Sequence, residues 1–122
     1  MHVLIANAAR PEREHLAILI AELSPGALVT QTRDGLEACM SLSMAEFDFL
    51  LLDTNLPDHD GWETLQMIRE FELDLPIYML VDEDDESDLA KVKAKGAAGL
   101  IRRPFNLAGL EALTKDLIEQ AA

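Results

Sequence analysis

The side chains best suited to chemistry in this chain follow short apolar runs of the sequence. Asp53 comes directly after one such run, Asn7 follows another, and Arg103 lies just beyond a third. A carboxylate can accept a transferred group, bind a cation or pair with a guanidinium, which always carries its charge. An amide oxygen can add a neutral ligand to a cation site. The chemistry of the chain is therefore expected in the loops that hold these three residues.

Several other kinds of site are excluded by residue counts and spacing. Cys39 is the single cysteine, so neither an internal disulfide nor a multi-cysteine metal site can form. The sequence contains no glycine-rich phosphate loop, no nucleophile elbow and no zinc-ligand spacing. The acidic run at residues 82–88 lacks the glycine and the final glutamate of a calcium loop. We interpret this run as the acidic start of a helix, where carboxylates complement the helix dipole.

The elements that must position these residues alternate between apolar runs and helical patterns. Apolar runs occupy residues 2–6, 27–30, 49–52, 77–81 and 98–101. All but the second are nearly continuous, which is typical of strands buried on both faces of a parallel sheet, whereas the mixed second run fits an edge strand. Apolar residues at helical spacing follow each run. In the second helix, Cys39 is predicted to be buried on an apolar stripe with Leu36 and Met40.

Five strand–helix pairs in succession predict an α/β fold. The expected architecture is a flavodoxin-like (βα)5 doubly wound parallel sheet with strand order 2-1-3-4-5 and right-handed crossovers. In open α/β sheets the site lies beyond the carboxyl ends of the strands. Those ends are residues 6–9, 53–56, 81–83 and 102–104, so these loops are expected to form the site.

Composition limits the class of protein. A chain of 122 residues with 49% hydrophobic residues makes one domain with a real core. The formal net charge of −13 disfavours binding to nucleic acid and to anionic membrane surfaces. The chain has no apolar run near the ~20 residues that cross a bilayer, and no signal-peptide pattern. We predict a single cytoplasmic domain at residues 1–122, either complete or the first domain of a longer protein.

The segment FDFLLLDTNLPDHDG at residues 47–61 resembles the third strand and following loop of the receiver domain of bacterial response regulators. In that family an aspartate ends the strand, a proline follows four residues later, and an Asp-Gly pair begins the next helix. Asp53, Pro57 and Asp60-Gly61 match these three features. Arg103-Pro104-Phe105 is similar to the family's Lys-Pro-Phe. The resemblance extends over essentially the whole chain.

The resemblance implies that Asp53 holds the position of the phosphoacceptor, which takes a phosphoryl group from a phosphohistidine donor with the help of Mg²⁺. The family binds Mg²⁺ through the acceptor, two acidic residues after the first strand, and a backbone carbonyl two residues past the acceptor. This sequence has Asn7-Ala8 in place of the acidic pair and Asn55 at the carbonyl position. Asp53 is then the one carboxylate that we expect in the pocket. Because Mg²⁺ dehydrates reluctantly, we expect weak Mg²⁺ binding at most, and no other cofactor.

The remaining functional positions implied by the resemblance have also changed. Val81 stands where the family has a Thr or Ser that meets the phosphoryl group, and losing such a donor typically costs ~3 kcal/mol in the transition state. Leu100 replaces the aromatic switch residue, and Arg103 replaces a Lys. We hypothesise that Arg103 pairs with Asp53 in place of the missing metal. An acid from residues 82–84 could also enter the pocket as a replacement carboxylate.

These changes together predict an atypical receiver domain in two-component (phosphorelay) signal transduction. It would act mainly as a non-enzymatic protein-interaction module with impaired Mg²⁺-dependent phosphorylation at Asp53. The expected partners are a histidine kinase, another regulator or an effector domain, or a second copy that binds through the fourth helix, fifth strand and fifth helix. The alternative is a phosphorylatable receiver that accepts a phosphoryl group on Asp53 from a histidine kinase through the altered pocket. A third hypothesis, a small-ligand binder, predicts a roomy pocket at the strand ends.

Overall fold

The computed structural model contains one five-stranded parallel sheet flanked by five helices, and it describes residues 1–82 and 87–121. The strand order is β2-β1-β3-β4-β5, so the predicted order and flavodoxin-like fold are confirmed. The strands are β1 (His2–Ala6), β2 (Leu28–Thr32), β3 (Phe49–Asp53), β4 (Ile77–Val81) and β5 (Gly99–Arg102). The helices are α1 (Arg10–Leu23), α2 (Gly35–Met44), α3 (Gly61–Arg69), α4 (Asp88–Lys95) and α5 (Leu107–Ala121). In the described part of the chain, no helix has both the length and the apolar character needed to span a bilayer.

Two apolar layers pack against opposite faces of the sheet. Alternate residues of the central strands point to each face, as the two-residue period of a strand requires. Leu4, Leu50 and Met79 belong to the layer that contains α2 and α3, whereas Ile5 and Leu51 belong to the layer that contains α1 and α5. All five residues of β3 and of β4 are buried. This burial explains why the runs at residues 49–52 and 77–81 are continuous rather than alternating.

The β2 strand lies at the edge of the sheet, as the mixed second run predicted. It pairs with β1 in parallel register from His2↔Leu28 to Ala6↔Thr32. The strand extends to Thr32, two residues beyond the predicted run, and Thr32 is its one buried residue. One flank of β2 therefore remains open in the described structure.

The predicted apolar stripe of α2 is wrong in its orientation. Leu36 and Met40 are 60% and 55% exposed, so they face solvent instead of the core. Cys39 is only partly buried, and its burial raises the pKa of the thiol. The buried face of α2 is formed by Gly35, Ala38 and Leu42 instead.

Close packing between α2 and α3 explains this orientation. A β-carbon at Gly35 would lie 2.6 Å from the hydroxyl oxygen of Thr64. Thr64 itself is fully buried. Small residues at Gly35 and Ala38 therefore allow the two helices to approach, and the larger apolar side chains of α2 turn outward.

Candidate functional site

Four of the predicted site residues meet at the carboxyl edge of the sheet. Asn7 follows β1, Asp53 ends β3, Val81 ends β4, and Arg103 follows β5. These strands are neighbours in the sheet, so their ends bring the four side chains together. Asn7 and Val81 are completely buried, and Asp53 is 3% exposed. The pocket is thus built on rigid strand ends and largely closed to water.

Arg103 forms an ion pair with Asp53, as hypothesised from the sequence. Its Nη2 donates to Oδ2 of Asp53 at 2.7 Å. The other carboxylate oxygen, Oδ1, accepts a hydrogen bond from the backbone N–H of Asn55 at 3.1 Å. Both oxygens of Asp53 therefore have hydrogen-bond partners. The positive charge next to the carboxylate is supplied by a side chain of the protein, Arg103.

Glu12 is a pocket residue that the sequence analysis missed. Arg103 donates to it twice, from Nε to Oε2 at 2.8 Å and from Nη2 to Oε1 at 2.9 Å. Asn7 Nδ2 donates to the same Oε1 at 3.0 Å. This forked contact is a strong form of charge-assisted hydrogen bonding. The expectation that Asp53 is the one carboxylate in the pocket is therefore corrected.

A local signal for Glu12 was present in the sequence. Pro11 and Glu12 stand in the first turn of α1, which begins four residues after β1 ends. A proline in the first turn marks a helix start, and an acid there favours the helix dipole. The first turn of a helix that follows a strand lies at the carboxyl edge of the sheet. Only the structure shows that Glu12 contacts Arg103, because the two residues lie 91 positions apart in the sequence.

Asp82 is a third carboxylate near the same guanidinium. Its Oδ1 lies 3.5 Å from Nη1 of Arg103, and its side chain is 69% exposed. We expected that an acid from residues 82–84 could enter the pocket. Asp82 reaches its outer edge and does not enter it. Residues 83 and 84 lie outside the described residues. Arg103 is thus surrounded by Asp53 inside the pocket, Glu12 beside it and Asp82 at its mouth.

The charges of this network influence one another strongly. Burial raises the pKa of the Asp53 carboxyl above its usual value, and the Asn55 N–H and the Arg103 guanidinium offset only part of that effect. The hydrogen bond from Arg103 lowers the pKa of Glu12. The same bond raises the pKa of Arg103. At neutral pH the guanidinium therefore compensates both carboxylates, while the environment of Asp53 still penalises its charge.

The donors present do not suit the Mg²⁺ ion that the family resemblance implies. The guanidinium of Arg103 is already in contact with Asp53 and Glu12, the carboxylates that would have to hold the ion. Asn7 Oδ1 accepts a hydrogen bond from the N–H of Ala9 at 2.7 Å, so this oxygen is also engaged. Among residues 1–82 and 87–121, no group of three or more His, Cys, Asp or Glu side chains is arranged to hold a metal. To bind these carboxylates, a divalent cation would have to displace the guanidinium of Arg103.

The positions of the family hydroxyl and switch residues are occupied by apolar side chains. Val81 is completely buried in the core layer on the α2 and α3 side. Leu100 is partly buried against that layer and lines a groove of about 400 Å³ together with Leu113 of α5. Neither residue can donate a hydrogen bond toward Asp53 through its side chain.

Gly61 explains the Asp-Gly pair of the loop that follows β3. Asp60 caps α3, because its carboxylate accepts from the N–H of Trp62 at 2.6 Å. Gly61 then donates its N–H to the carbonyl of Thr54 at 2.9 Å. A β-carbon at Gly61 would lie 2.0 Å from the carbonyl oxygen of Asp53. Glycine is therefore required for the loop to fold back against the strand end that carries Asp53.

A cavity of about 640 Å³ lies beside the ion-pair network, between α1 and the loop after β5. Its volume falls in the range of small-molecule sites. The small-ligand hypothesis predicted a roomy pocket at the strand ends, and a pocket is present there. That it binds a ligand stays a prediction. The residues that line it are Pro11, Glu12, His15, Asp82, Arg103, Pro104 and Phe105.

Comparison with known proteins gives consistent matches over this fold. The model of the response regulator receiver domain matches residues 3–115. The transcriptional regulatory protein PcoR of Escherichia coli is 31% identical over 103 residues, which cover 84% of this chain and 44% of that protein. The transcriptional activator protein IrlR of Burkholderia pseudomallei is 28% identical over 95 residues, covering 78% of this chain and 41% of that protein. The chain thus spans less than half the length of these two curated relatives.

Solved structures agree with the sequence matches. The chemotaxis response regulator CheY4 of Vibrio cholerae has a TM-score of 0.84 and 27% identity, covering 95% of this chain and 97% of that one. A putative response regulator from Chloroflexus aurantiacus has a TM-score of 0.87 and 26% identity, covering 97% of each chain. The likeness in fold therefore extends over nearly the whole chain.

Proposed function

Because the chain belongs to the response regulator receiver domain family, we propose that it is an atypical receiver that works mainly through protein contacts, with impaired Mg²⁺-dependent phosphorylation at Asp53. The observation that carries this proposal is the 2.7 Å contact between Arg103 Nη2 and Asp53 Oδ2. Receiver domains are signalling modules of two-component systems. In this one, an internal cation takes the place that the resemblance assigns to a metal ion.

The chemistry of phosphoryl transfer supports the proposal. A carboxylate that attacks phosphorus approaches a group of like charge, and a metal ion normally neutralises that charge and bridges the oxygens. Here the pocket has two carboxylates, Asp53 and Glu12, against one guanidinium. Arg103 would have to leave Asp53 before its oxygen could attack. The side chain of Val81 supplies no hydroxyl to meet the transferred group, which removes a further ~3 kcal/mol of transition-state stabilisation.

The proposed partners are a histidine kinase, another regulator or an effector domain. We place their contact on the surface of α4, β5 and α5, where Leu89 is 59% exposed and Leu113 is 38% exposed. Leu113 lines the groove beside Leu100, so this surface has an apolar part of the kind that protein interfaces use. A homodimer through the same surface stays a prediction.

Intact-mass measurement after incubation with a small phosphodonor and Mg²⁺ tests the proposal. The expected result is little or no phosphorylated protein, because Arg103 occupies the acceptor carboxylate. The matched control is Asp53→Ala, which removes the acceptor. A large phosphorylated fraction in the wild type that disappears in Asp53→Ala would favour the alternative, a phosphorylatable receiver with an altered pocket.

A further inference from the structure

The open edge of the sheet and the exposed side of α2 form one continuous surface, the β2–α2 face. It is defined by the residues that line a groove of about 350 Å³: Thr30, Gln31, Thr32, Glu37, Met40, Ser41 and Met44. We propose that this face binds a second copy of the chain, with the two β2 strands paired antiparallel across a two-fold axis. The proposal goes beyond the proposed function and does not depend on the state of Asp53.

The backbone of β2 has hydrogen-bonding groups directed away from the sheet. Leu28 donates its N–H to Met1, and the carbonyl of Thr32 accepts from Asn7, so these two residues bond toward β1. Residues along a strand alternate in direction, so the N–H and C=O groups of Val29 and Gln31 point to the open flank. Exposed edges of this kind are templates for pairing with another chain.

The sequence of β2 lacks the features that usually protect an edge. Proteins block edge strands with lysine, other charges, proline or bulges. The strand Leu-Val-Thr-Gln-Thr contains no charged residue and no proline, and its register with β1 is unbroken from residue 28 to residue 32. The edge is therefore chemically open to a further strand.

The side of α2 next to this edge is apolar and adaptable. Met40 and Met44 are 55% and 82% exposed, and they lie one turn apart on the helix together with Leu36. Leu28, at the start of the edge strand, is 65% exposed. Methionine side chains are flexible and polarisable, which suits a contact that has to adjust to its partner. Clustered exposed apolar residues of this kind mark interaction sites.

The charge distribution favours a second copy as the occupant. The chain carries a net charge of −13, so two copies repel each other over most of their surfaces. On the β2–α2 face the charge of Glu37 is paired with Arg33 at 2.9 Å, and the other residues of the face are uncharged. A basic partner would be attracted to the acidic surfaces instead. A two-fold contact is self-complementary, and antiparallel pairing of this uncharged strand places no like charges opposite each other.

Sedimentation equilibrium of the full chain at rising protein concentration, in low and high salt, tests the proposal. We expect a dimer that becomes tighter from about 0.05 M to about 0.5 M NaCl, because salt screens the repulsion between two acidic copies. Met44→Glu is expected to raise the dimer Kd by roughly tenfold or more, since it places two like charges in the contact. Met44 is 82% exposed, so this variant leaves the monomer fold intact.

Two control variants separate this face from other surfaces. Leu73→Glu adds the same charge at a residue that is 77% exposed and lies between α3 and β4, and it should leave the Kd unchanged. Leu89→Glu makes the same change on α4, within the surface proposed for other partners, and it reports whether two copies meet there instead. A protein that stays monomeric at millimolar concentration in high salt would overturn the proposal. So would a dimer that Leu89→Glu disrupts and Met44→Glu does not, because that result assigns the contact to the surface of α4, β5 and α5.

Discussion

Replacing Arg103 with methionine isolates the contribution of its charge. Methionine keeps an unbranched apolar stem. It lacks the guanidinium, whose carbon lies 5.0 Å from the centre of the Phe105 ring. The substitution removes the guanidinium that contacts Asp53, Glu12 and Asp82. The pocket then holds two facing carboxylates and no internal cation to compensate them. We expect Arg103→Met to be clearly less stable than the wild type at neutral pH.

The size of the loss follows from the burial of each carboxylate. Removing one partner of a buried ion pair costs about 3–5 kcal/mol. The Glu12 side chain is 32% exposed and can turn to water, whereas the Asp53 side chain is 5% exposed and cannot. Asp53 therefore sets the cost, at the lower end of that range, about 3 kcal/mol. For a domain of this size that loss lowers Tm by about 12 °C.

The loss should depend on pH in a defined direction. Burial already raises the pKa of Asp53, and the loss of Arg103 raises it further, so Asp53 protonates in the folded variant before it does so in the unfolded chain. Protonation of Asp53 removes the penalty for its buried charge. The wild type also loses the contribution of Glu12 as the pH falls through the lowered pKa of that residue. Protonation of Asp53 narrows the difference in stability between wild type and variant as the pH falls from 7 toward 4. The loss of the Glu12 contribution narrows it further only below the ordinary pKa of Glu12, 4.5.

Urea unfolding monitored by the fluorescence of Trp62 measures this loss. Trp62 is the single tryptophan and is 5% exposed, so its emission reports on the core. The double variant Arg103→Met/Asp53→Asn is the control, since removing the buried carboxylate should restore much of the lost stability. A variant as stable as the wild type at pH 7 would refute the reasoning. An equal loss at pH 7 and pH 4 would do the same, because it would indicate a packing defect instead of an uncompensated charge.

Two further predictions concern residues at the same strand end. Asp53→Asn alone should stabilise the fold at neutral pH, because it removes a charge that burial penalises while Arg103 keeps Glu12 as a partner. The gain should shrink as the pH falls through the pKa of Asp53 in urea titrations, and a destabilised Asp53→Asn would contradict it. Gly61→Ala should cost about 3 kcal/mol or more, since the new β-carbon would lie 2.0 Å from a backbone oxygen. An unchanged urea midpoint for Gly61→Ala would refute this requirement.

The order of the strands could be predicted from the alternation of strands and helices, which is typical of the flavodoxin-like topology. Burial of the central strands also leaves a direct trace in the sequence. The runs at residues 49–52 and 77–81 are continuous because β3 and β4 are buried on both faces. The mixed run that became β2 reflects its edge position. Once the order is known, β3 and β5 must lie on either side of β4, so Asp53 and Arg103 lie at the same edge of the sheet. The pairing of these two residues was therefore within reach of the sequence.

The parts that the sequence did not predict depend on helix rotation and side-chain reach. The spacing of Leu36 and Met40 indicates a helical stripe but not the direction it faces, which is decided by the close approach of Gly35 to Thr64. Glu12 joins the pocket because the long side chain of Arg103 spans from β5 to the first turn of α1. The spacing of apolar residues carries no information about the rotation of α2 or about the contact between Arg103 and Glu12.

The guanidinium beside Asp53 is covalently attached to the polypeptide, with consequences for how the pocket responds to its surroundings. A chelator cannot extract this positive charge, dilution cannot lower its local concentration, and its supply is fixed when the chain folds. Every folded molecule therefore carries this positive charge beside Asp53, whatever the concentration of free cations around it.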